Sequence, residues 1–371
     1  MSQVLPPSEP RLKELVLWVT TDCNLRCRYC YAGGGDRAEY MDWPVAKQAL
    51  DLMLNHSDGF KIQFAGGEPL LNIDLMEQVV GYTKGWGVRY HLQTNAILIT
   101  DNVARNLKRL AVDVGVSLDG LPAVNDPLRS FADGGGSTAA TIAGMKNLGA
   151  EGIGVGLTCV ISAQNVAGLP ALVELASYLG NVEGISFDLL RLVGRARENS
   201  VRQADPALAA RSVSAALRRA DELALMGGRR VGFREVNRIH YLLTRGIRRQ
   251  HRCYFDACQS LMVKPNGDAY PCASLANSAE FYLGNVLEEG FIDELGDKLP
   301  RCRQLITSPP CCSTCPDHGL CGGPCPAQTY AQQLAGETKP TECYVKRAFI
   351  NYVKREGNLS YASANQISLS V

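Results

Sequence analysis

A chain of 371 residues, 46% apolar and 20% charged, is long and apolar enough to bury a full core in one large domain and to add a smaller one. A formal net charge of +1 gives no global field to draw in nucleic acid or anionic lipid, and no segment approaches the uninterrupted apolar run of about 20 residues that a membrane span needs. Met1 to Pro10 is polar and proline-bearing, without the charged, apolar and small-residue order of a secretory signal, so a cytoplasmic location with no membrane partner is expected.

Cysteine is the exception to this ordinary composition. Of 14 cysteines, three lie between Cys23 and Cys30, ten between Cys253 and Cys343, and Cys159 stands alone between the groups. Disulfide frameworks belong to small exported domains that lack a core, so the pattern favours metal ligation in a reducing compartment.

After a tail over residues 1–14, short β-rich runs alternate with helix-period segments as far as residue 190. The strand candidates are 15–20, 61–65, 90–94, 112–117, 154–161 and 184–190. Helix signals lie between them, such as 44–55 behind Asp42 and Pro44, and 101–110 behind Thr100 or Asp101. A further helix, from Asp205 or Pro206 to about Met226, ends this half. Alternating strands and helices imply parallel pairing, and six such units predict an α/β fold, a partial (β/α)6 barrel of the TIM type over residues 15–226, open on one side. In such barrels the chemistry sits where strands end. The unusual polar motifs obey that rule: the cysteine triplet follows the first strand and Gly66-Gly67-Glu68-Pro69 the second, Thr94-Asn95 ends the third, and Ser117-Leu118-Asp119-Gly120 ends the fourth.

The triplet reads Cys23-x3-Cys27-x2-Cys30. Three soft thiolates on an iron–sulfur cubane leave its fourth iron open to an external chelate, and the amino and carboxylate groups of S-adenosylmethionine (SAM) suit that position. A structural zinc site wants four closed ligands, and the loop lacks a fourth. In this placement Cys23, Cys27 and Cys30 resemble the signature of the radical SAM superfamily. The resemblance implies that Tyr29 lies beside the adenine and that Gly66, Gly67 and Glu68, followed by Pro69, bind the methionine amino group through backbone and carboxylate. Glycines let a backbone approach a ligand closely, and an ammonium requires an acceptor. Ser117 and Asp119 are similar to family residues near the ribose and carboxylate of SAM. Asn95 and Arg129 are further candidates, Arg129 being either a cation for the SAM carboxylate or a plain surface arginine.

Residues 227–252 form a basic bridge with Arg229, Arg230, Arg234, Arg238, Arg245, Arg248, Arg249 and Arg252. Such a run reads first as a solvated helix face, and second as a contact for an acidic peptide or RNA. Beyond it, residues 253–371 are rich in glycine, proline and cysteine. Cys258-x13-Cys272 encloses Pro265-Asn266-Gly267-Asp268, whose Asn-Gly pair marks a hairpin turn. Cys312-x2-Cys315-x5-Cys321-x3-Cys325 and Cys343 follow. This order resembles the SPASM domain of peptide- and protein-modifying radical SAM enzymes. The resemblance implies two auxiliary 4Fe-4S clusters, one on Cys253, Cys258, Cys272 and Cys325 and the other on Cys312, Cys315, Cys321 and Cys343, three clusters in all with the SAM-binding one. Fourfold thiolate ligation also suits zinc. Cys302, Cys311 and Cys159 are left over, Cys311 making one ligand ambiguous by a single place and Cys159 reading as a small buried hydrophobe.

Closed clusters suit electron transfer, so the expected reaction is reductive SAM cleavage to a 5'-deoxyadenosyl radical, followed by oxidative modification of a peptide or protein substrate. The products in view are thioether or carbon–carbon crosslinks, or an aldehyde on a Cys or Ser side chain. In the sulfatase-maturing branch an aspartate directly follows the cysteine that matches Cys272. Here Ala273 stands there, which disfavours formylglycine formation because that oxidation needs a positioned base. A maturase of ribosomally made peptides fits better. The residues before the first strand are too few for a leader-recognition fold, so recognition falls to the barrel mouth, the bridge or a separate partner protein, and electrons to a reductant such as flavodoxin or ferredoxin. A zinc-stapled RNA-binding module is the remote alternative, weakened by a bridge whose aromatics are Phe233 and Tyr241.

Overall fold

The computed structural model describes residues 11–336 and 340–367, with side chains described as far as residue 355. Residues 1–10 of the expected tail, and 337–339 and 368–371 of the expected C-terminal segment, lie outside the described residues.

Six strands pair in chain order, all parallel: β1 (Glu14–Thr20), β2 (Lys61–Gly66), β3 (Arg89–Thr94), β4 (Val112–Ser117), β5 (Val155–Ile161) and β6 (Val182–Leu189). Between them run α1 (Trp43–His56), α2 (Ile73–Tyr82), α3 (Asp101–Arg109), α4 (Pro122–Asn125), α5 (Thr138–Ala150) and α6 (Leu169–Leu179). Each strand presents an apolar face, such as Ile62 and Phe64 or Tyr90 and Leu92, while the lumen face of β2, β3 and β4 carries polar residues such as Gln63, Gln93 and Ser117. Leu15, Leu17, Trp18, Phe64, Leu92 and Val116 are fully or nearly fully buried. The helices start where local donors demand an acceptor. Asp42 accepts from the Val45 amide, Thr100 from Val103 and Asp205 from Leu208.

After β6 come α7 (Arg195–Glu198) and α8 (Pro206–Leu225), which packs on α6. The basic bridge differs from a wholly solvated helix face. It contributes β7 (Gly232–Phe233), parallel to β6, and α9 (Arg234–Arg245). The Arg249 side chain is only 8% exposed, because Glu235 accepts from it at 3.1 Å. Arg252, 16% exposed, meets Glu342 at 3.2 Å.

The cysteine-rich segment then returns to the barrel. β8 (Ser260–Val263) lies parallel to β1, and β9 (Asp268–Tyr270) folds back on β8 through the expected Asn266-Gly267 turn, with Gly267 at φ +89°. β10 (Gly284–Asn285) is antiparallel to β9. The single sheet therefore runs β10-β9-β8-β1-β2-β3-β4-β5-β6-β7 and stays open between its ends, extending on both sides beyond six strands. α10 (Phe291–Gln304), α11 (His318–Cys321), α12 (Pro326–Ala335) and α13 (Thr341–Ile367) complete the chain, α13 packing on α8 and α9. Among the described residues no helix is long and apolar enough to cross a membrane.

Candidate active site

A cavity of about 700 Å³ opens at the C-terminal ends of the barrel strands. Cys23, Cys27 and Cys30 line one side, and Cys253, Cys272 and Cys325 line it as well, so the two cysteine fields face one space. The pairing of β8 with β1 achieves this, since it lays the hairpin that ends at Cys272 beside the strand that feeds Cys23.

The first loop is fixed by its own backbone. Cys23 N–H donates to Asp22 Oδ1 at 2.8 Å, Arg26 N–H to Ser130 O at 2.8 Å and Arg28 N–H to Leu128 O at 2.9 Å. Arg195 closes it from the far side of the barrel, donating to Gly34 O and Asp36 Oδ1, each at 2.6 Å. The Leu25 and Gly34 amides point at the sulfurs of Cys23 and Cys30, both at 3.4 Å. Desolvation pushes the Cys23 thiol up to about 12 and Cys27 up to about 11. Buried thiols of this kind ionise when a metal centre supplies the positive charge. All three are free, and this donor set fits a cubane with one open iron.

The glycines after β2 have a more immediate duty than ligand approach. A Cβ on Gly66 would stand 2.1 Å from Thr20 O, and one on Gly67 1.9 Å from Asp22 O. Gly66 also sits at φ +129°. The pair lets the β2 loop lie directly on the cysteine loop, tied by Gly67 N–H to Thr20 O at 2.9 Å and Glu68 N–H to Asp22 O at 2.8 Å. Glu68, 1% exposed, accepts from the Leu70 amide, the Thr94 hydroxyl at 2.7 Å and the Asn95 amide at 2.8 Å, and burial pushes it up to about 7. The carboxylate thus ties β2 to β3 while lining the cavity. Pro69 opens a buried single turn behind it.

Asn95 donates to Asn24 Oδ1 at 2.7 Å, and Ser117 Oγ accepts from Gln93 at 2.9 Å; both line the cavity. Asp119 is buried behind the lining and reaches the site through two residues that do line it: Tyr29 donates to its carboxylate, and Arg129 Nε does so at 2.8 Å. The surface reading of Arg129 is incorrect, because this ion pair draws it in to 8% exposure. Its guanidinium also lies 5.3 Å from the centre of the Tyr29 ring.

Sequence reasoning missed the polar lining of the lumen, including Gln63, His91 and Gln93. Polar residues inside otherwise apolar strands were the available signal. Desolvation lowers His91 to about 4, so it presents a neutral ring. Also missed was a buried charge network beside the second cysteine field. Lys346 meets Glu235 at 2.5 Å, and Glu342 accepts from the Cys325 amide at 2.8 Å.

Among the later cysteines, desolvation and then the charge of Cys325 push Cys272 up to about 11, and Cys325 is also the strongest charge acting on Cys253. Desolvation raises Cys312 to about 11, with Cys311, Cys321 and Cys343 adding to it. Cys258, the fourth member implied for the first set, acts on the buried Cys302. Among the described residues, Cys23, Cys27 and Cys30 included, no three His, Cys, Asp or Glu side chains stand together as ligands for a single metal ion. Cys159 is fully buried in β5, as a small hydrophobe.

The family model of the radical SAM superfamily matches residues 19–176, and that of the SPASM iron–sulfur cluster-binding domain matches residues 253–316. Protein MJ0907 of Methanocaldococcus jannaschii is 44% identical over 48% of this chain and 63% of its own length. The Fe-coproporphyrin III synthase of Methanosarcina barkeri is 36% identical over 44% of this chain and 41% of its own. The chain thus spans less than two thirds of these relatives. The mycofactocin maturase of Mycobacterium ulcerans is 28% identical over 88% of this chain and 86% of its own. In fold, the chain is similar to anSMEcpe with bound AdoMet, with a TM-score of 0.79 at 20% identity over 95% and 96% of the two chains. It is also similar to Streptococcus suis SuiB bound to precursor peptide SuiA, with a TM-score of 0.62 at 19% identity over 90% and 74%.

Proposed function

We propose that this chain, which belongs to the radical SAM superfamily and carries a C-terminal SPASM domain, is an enzyme that cleaves SAM reductively and oxidatively modifies a peptide. The observation that carries the proposal is the meeting of Cys23, Cys27 and Cys30 with Cys253, Cys272 and Cys325 around one cavity. When bound, a cluster on the first three thiols supplies the electron for SAM cleavage, and auxiliary clusters on the later eight provide acceptors for the oxidation. Those eight are Cys253, Cys258, Cys272 and Cys325 for one cluster and Cys312, Cys315, Cys321 and Cys343 for the other.

The protein's own residues shape the rest of the site. Glu68 offers an acceptor to the SAM ammonium, and Arg129, anchored on Asp119, offers a cation to its carboxylate. Tyr29, Asn95 and Ser117 line the same space for the nucleoside. Ala273 lines the cavity beside Cys272 and carries no base, which supports crosslinking over formylglycine formation. A peptide is favoured because the likeness to the mycofactocin maturase runs over 88% of the chain, whereas that to the Fe-coproporphyrin III synthase covers 44%. A reductant such as flavodoxin or ferredoxin supplies electrons, and recognition of the peptide falls to the barrel mouth, residues 227–252 or a separate protein.

The test is anaerobic reconstitution with iron and sulfide, followed by SAM and dithionite. About twelve irons per chain and formation of 5'-deoxyadenosine are expected, on three four-iron cubanes. The triple Cys23/Cys27/Cys30 to Ala variant should keep about eight irons and lose 5'-deoxyadenosine formation. Zinc in place of iron, or SAM cleavage surviving in that variant, would overturn the assignment.

A further inference from the structure

Of the seven lysines and arginines lining the cavity, five are matched by acids among the described residues, the exposed Arg234 and the partly buried Arg191 being the others. Arg129 pairs with Asp119 at 2.8 Å, Arg195 with Asp36 at 2.6 Å, Arg252 with Glu342 at 3.2 Å and Lys346 with Glu235 at 2.5 Å. Lys61 at the floor meets Glu14 at 3.4 Å. Arg191, just after β6, is different. Its Nε is buried without a hydrogen-bond partner, and among the described residues no ion pair reaches its guanidinium.

The surroundings of Arg191 are specific. The guanidinium lies 6.0 Å from the centre of the Tyr31 ring, one residue past Cys30. Burial disfavours its charge, and the groups that favour it are, in order, Cys325, Asp188, Tyr31 and Cys272. Arg191 therefore lines the cavity with an N–H lacking an acceptor, beside Tyr31 next to Cys30 and within reach of the charges of Cys325 and Cys272. Sulfur ligands of a cluster are acceptors for such a donor, and both the hydrogen bond and the cation stabilise the more negative, reduced state.

We propose that Arg191 is a positioning residue that donates to the sulfurs of the auxiliary cluster on Cys272 and Cys325 and raises its reduction potential, which would make this cluster the better electron acceptor of the auxiliary pair. The inference rests on the function proposed above. It sets the guanidinium toward sulfur rather than toward a carboxylate of the substrate.

The test uses the full chain with Cys23, Cys27 and Cys30 changed to Ala, reconstituted so that only auxiliary clusters contribute to the electron paramagnetic resonance signal during a redox titration. Arg191→Gln is expected to lower the reduced-to-oxidised ratio of one cluster about tenfold at the midpoint measured before that change, a shift of about 59 mV for a one-electron couple. Arg191→Lys keeps the charge and is expected to recover most of that ratio. An unmoved midpoint in Arg191→Gln, at an unchanged iron content, overturns the proposal and leaves the enzyme assignment standing. Should Arg191→Gln lose iron, the decision passes to electron–nuclear double resonance on the unsubstituted chain labelled with 15N-arginine, where absence of a nitrogen coupling to the reduced cluster overturns it. Zinc in place of iron in the unsubstituted chain would remove the enzyme assignment itself.

Discussion

Nε of Arg129 stands 2.8 Å from Oδ2 of Asp119, and the pair is buried directly behind the cysteine loop. Tyr29 donates to the same carboxylate from within that loop, and the Val160 amide donates to its other oxygen at 2.9 Å from β5. One carboxylate thus joins the loop, the end of β4 and β5. Asp119→Asn keeps the shape and removes the charge, leaving a buried guanidinium unpaired. The expected cost is about 3–5 kcal/mol in urea unfolding, together with weaker SAM binding. A loss below about 1 kcal/mol would show that Arg129 finds its counter-charge elsewhere.

Gly67→Ala is expected to be more damaging to the site than to the sheet. Its Cβ would stand 1.9 Å from Asp22 O, a backbone atom that cannot rotate away. Relief requires moving the β2 loop off the loop of Cys23, Cys27 and Cys30. The variant should retain the auxiliary irons, lose about four irons from the first site and fail to form 5'-deoxyadenosine. Full iron content with normal SAM cleavage would mean that the two loops separate without consequence.

Much of this arrangement was legible from the chain alone, and the exceptions have physical reasons. Strands 61–65, 90–94 and 112–117 lie within one residue of β2, β3 and β4, because each largely alternates buried apolar residues with less buried ones between turns. The expected start at Gly184 falls two residues late, since Val182 already pairs with Val155. The Asn266-Gly267 turn was legible, but the pairing of β8 with β1 was not, because a four-residue apolar run carries no information about its distant neighbour. Arg252 looked solvated because its partner Glu342 lies 90 residues along the chain, whereas Glu235, the acceptor for Arg249, lies within the bridge itself. Glu68 was expected to serve a ligand, whereas three donors from the protein already hold it, a fact that belongs to the packing of β2 against β3.

Glu68 also predicts a pH dependence. Burial holds its carboxyl at about 7, against 4.5 for the free group, with the Asn95, Thr94 and Leu70 donors opposing that shift without cancelling it. The folded state therefore keeps a proton that the unfolded chain releases first. The contribution to stability is complete below about pH 4.5 and is lost as the pH rises through 7, by about 3 kcal/mol across the window. Glu68→Gln carries no such proton, so its stability relative to the parent should rise between pH 5 and pH 8 in urea unfolding. Parallel pH profiles for the two proteins would show that Glu68 does not titrate in this range.

Cys311 and Cys312, the one-place ambiguity in the second set, differ in their surroundings. Cys311 is exposed, whereas Cys312 is partly buried and feels Cys321 and Cys343 directly after Cys311 itself. Cys343 in turn feels Cys315, and Arg347 is raised first by Cys343 and then by a hydrogen bond to Cys315. Cys311, Cys312, Cys315, Cys321 and Cys343 therefore form one electrostatic neighbourhood, in which Cys311 and Cys343 are the exposed members. Cys312→Ser should remove about four irons per chain, since a cubane that loses one of four thiolates to a hydroxyl is poorly held, and Cys311→Ser should remove none. The measurement is iron and sulfide content after anaerobic reconstitution, read beside the resonance signal of the auxiliary clusters. Equal iron loss in both variants would mean that the loop exchanges one neighbour for the other. Loss confined to Cys311→Ser would move the ligand by one place and draw Cys311 inward against its present exposure.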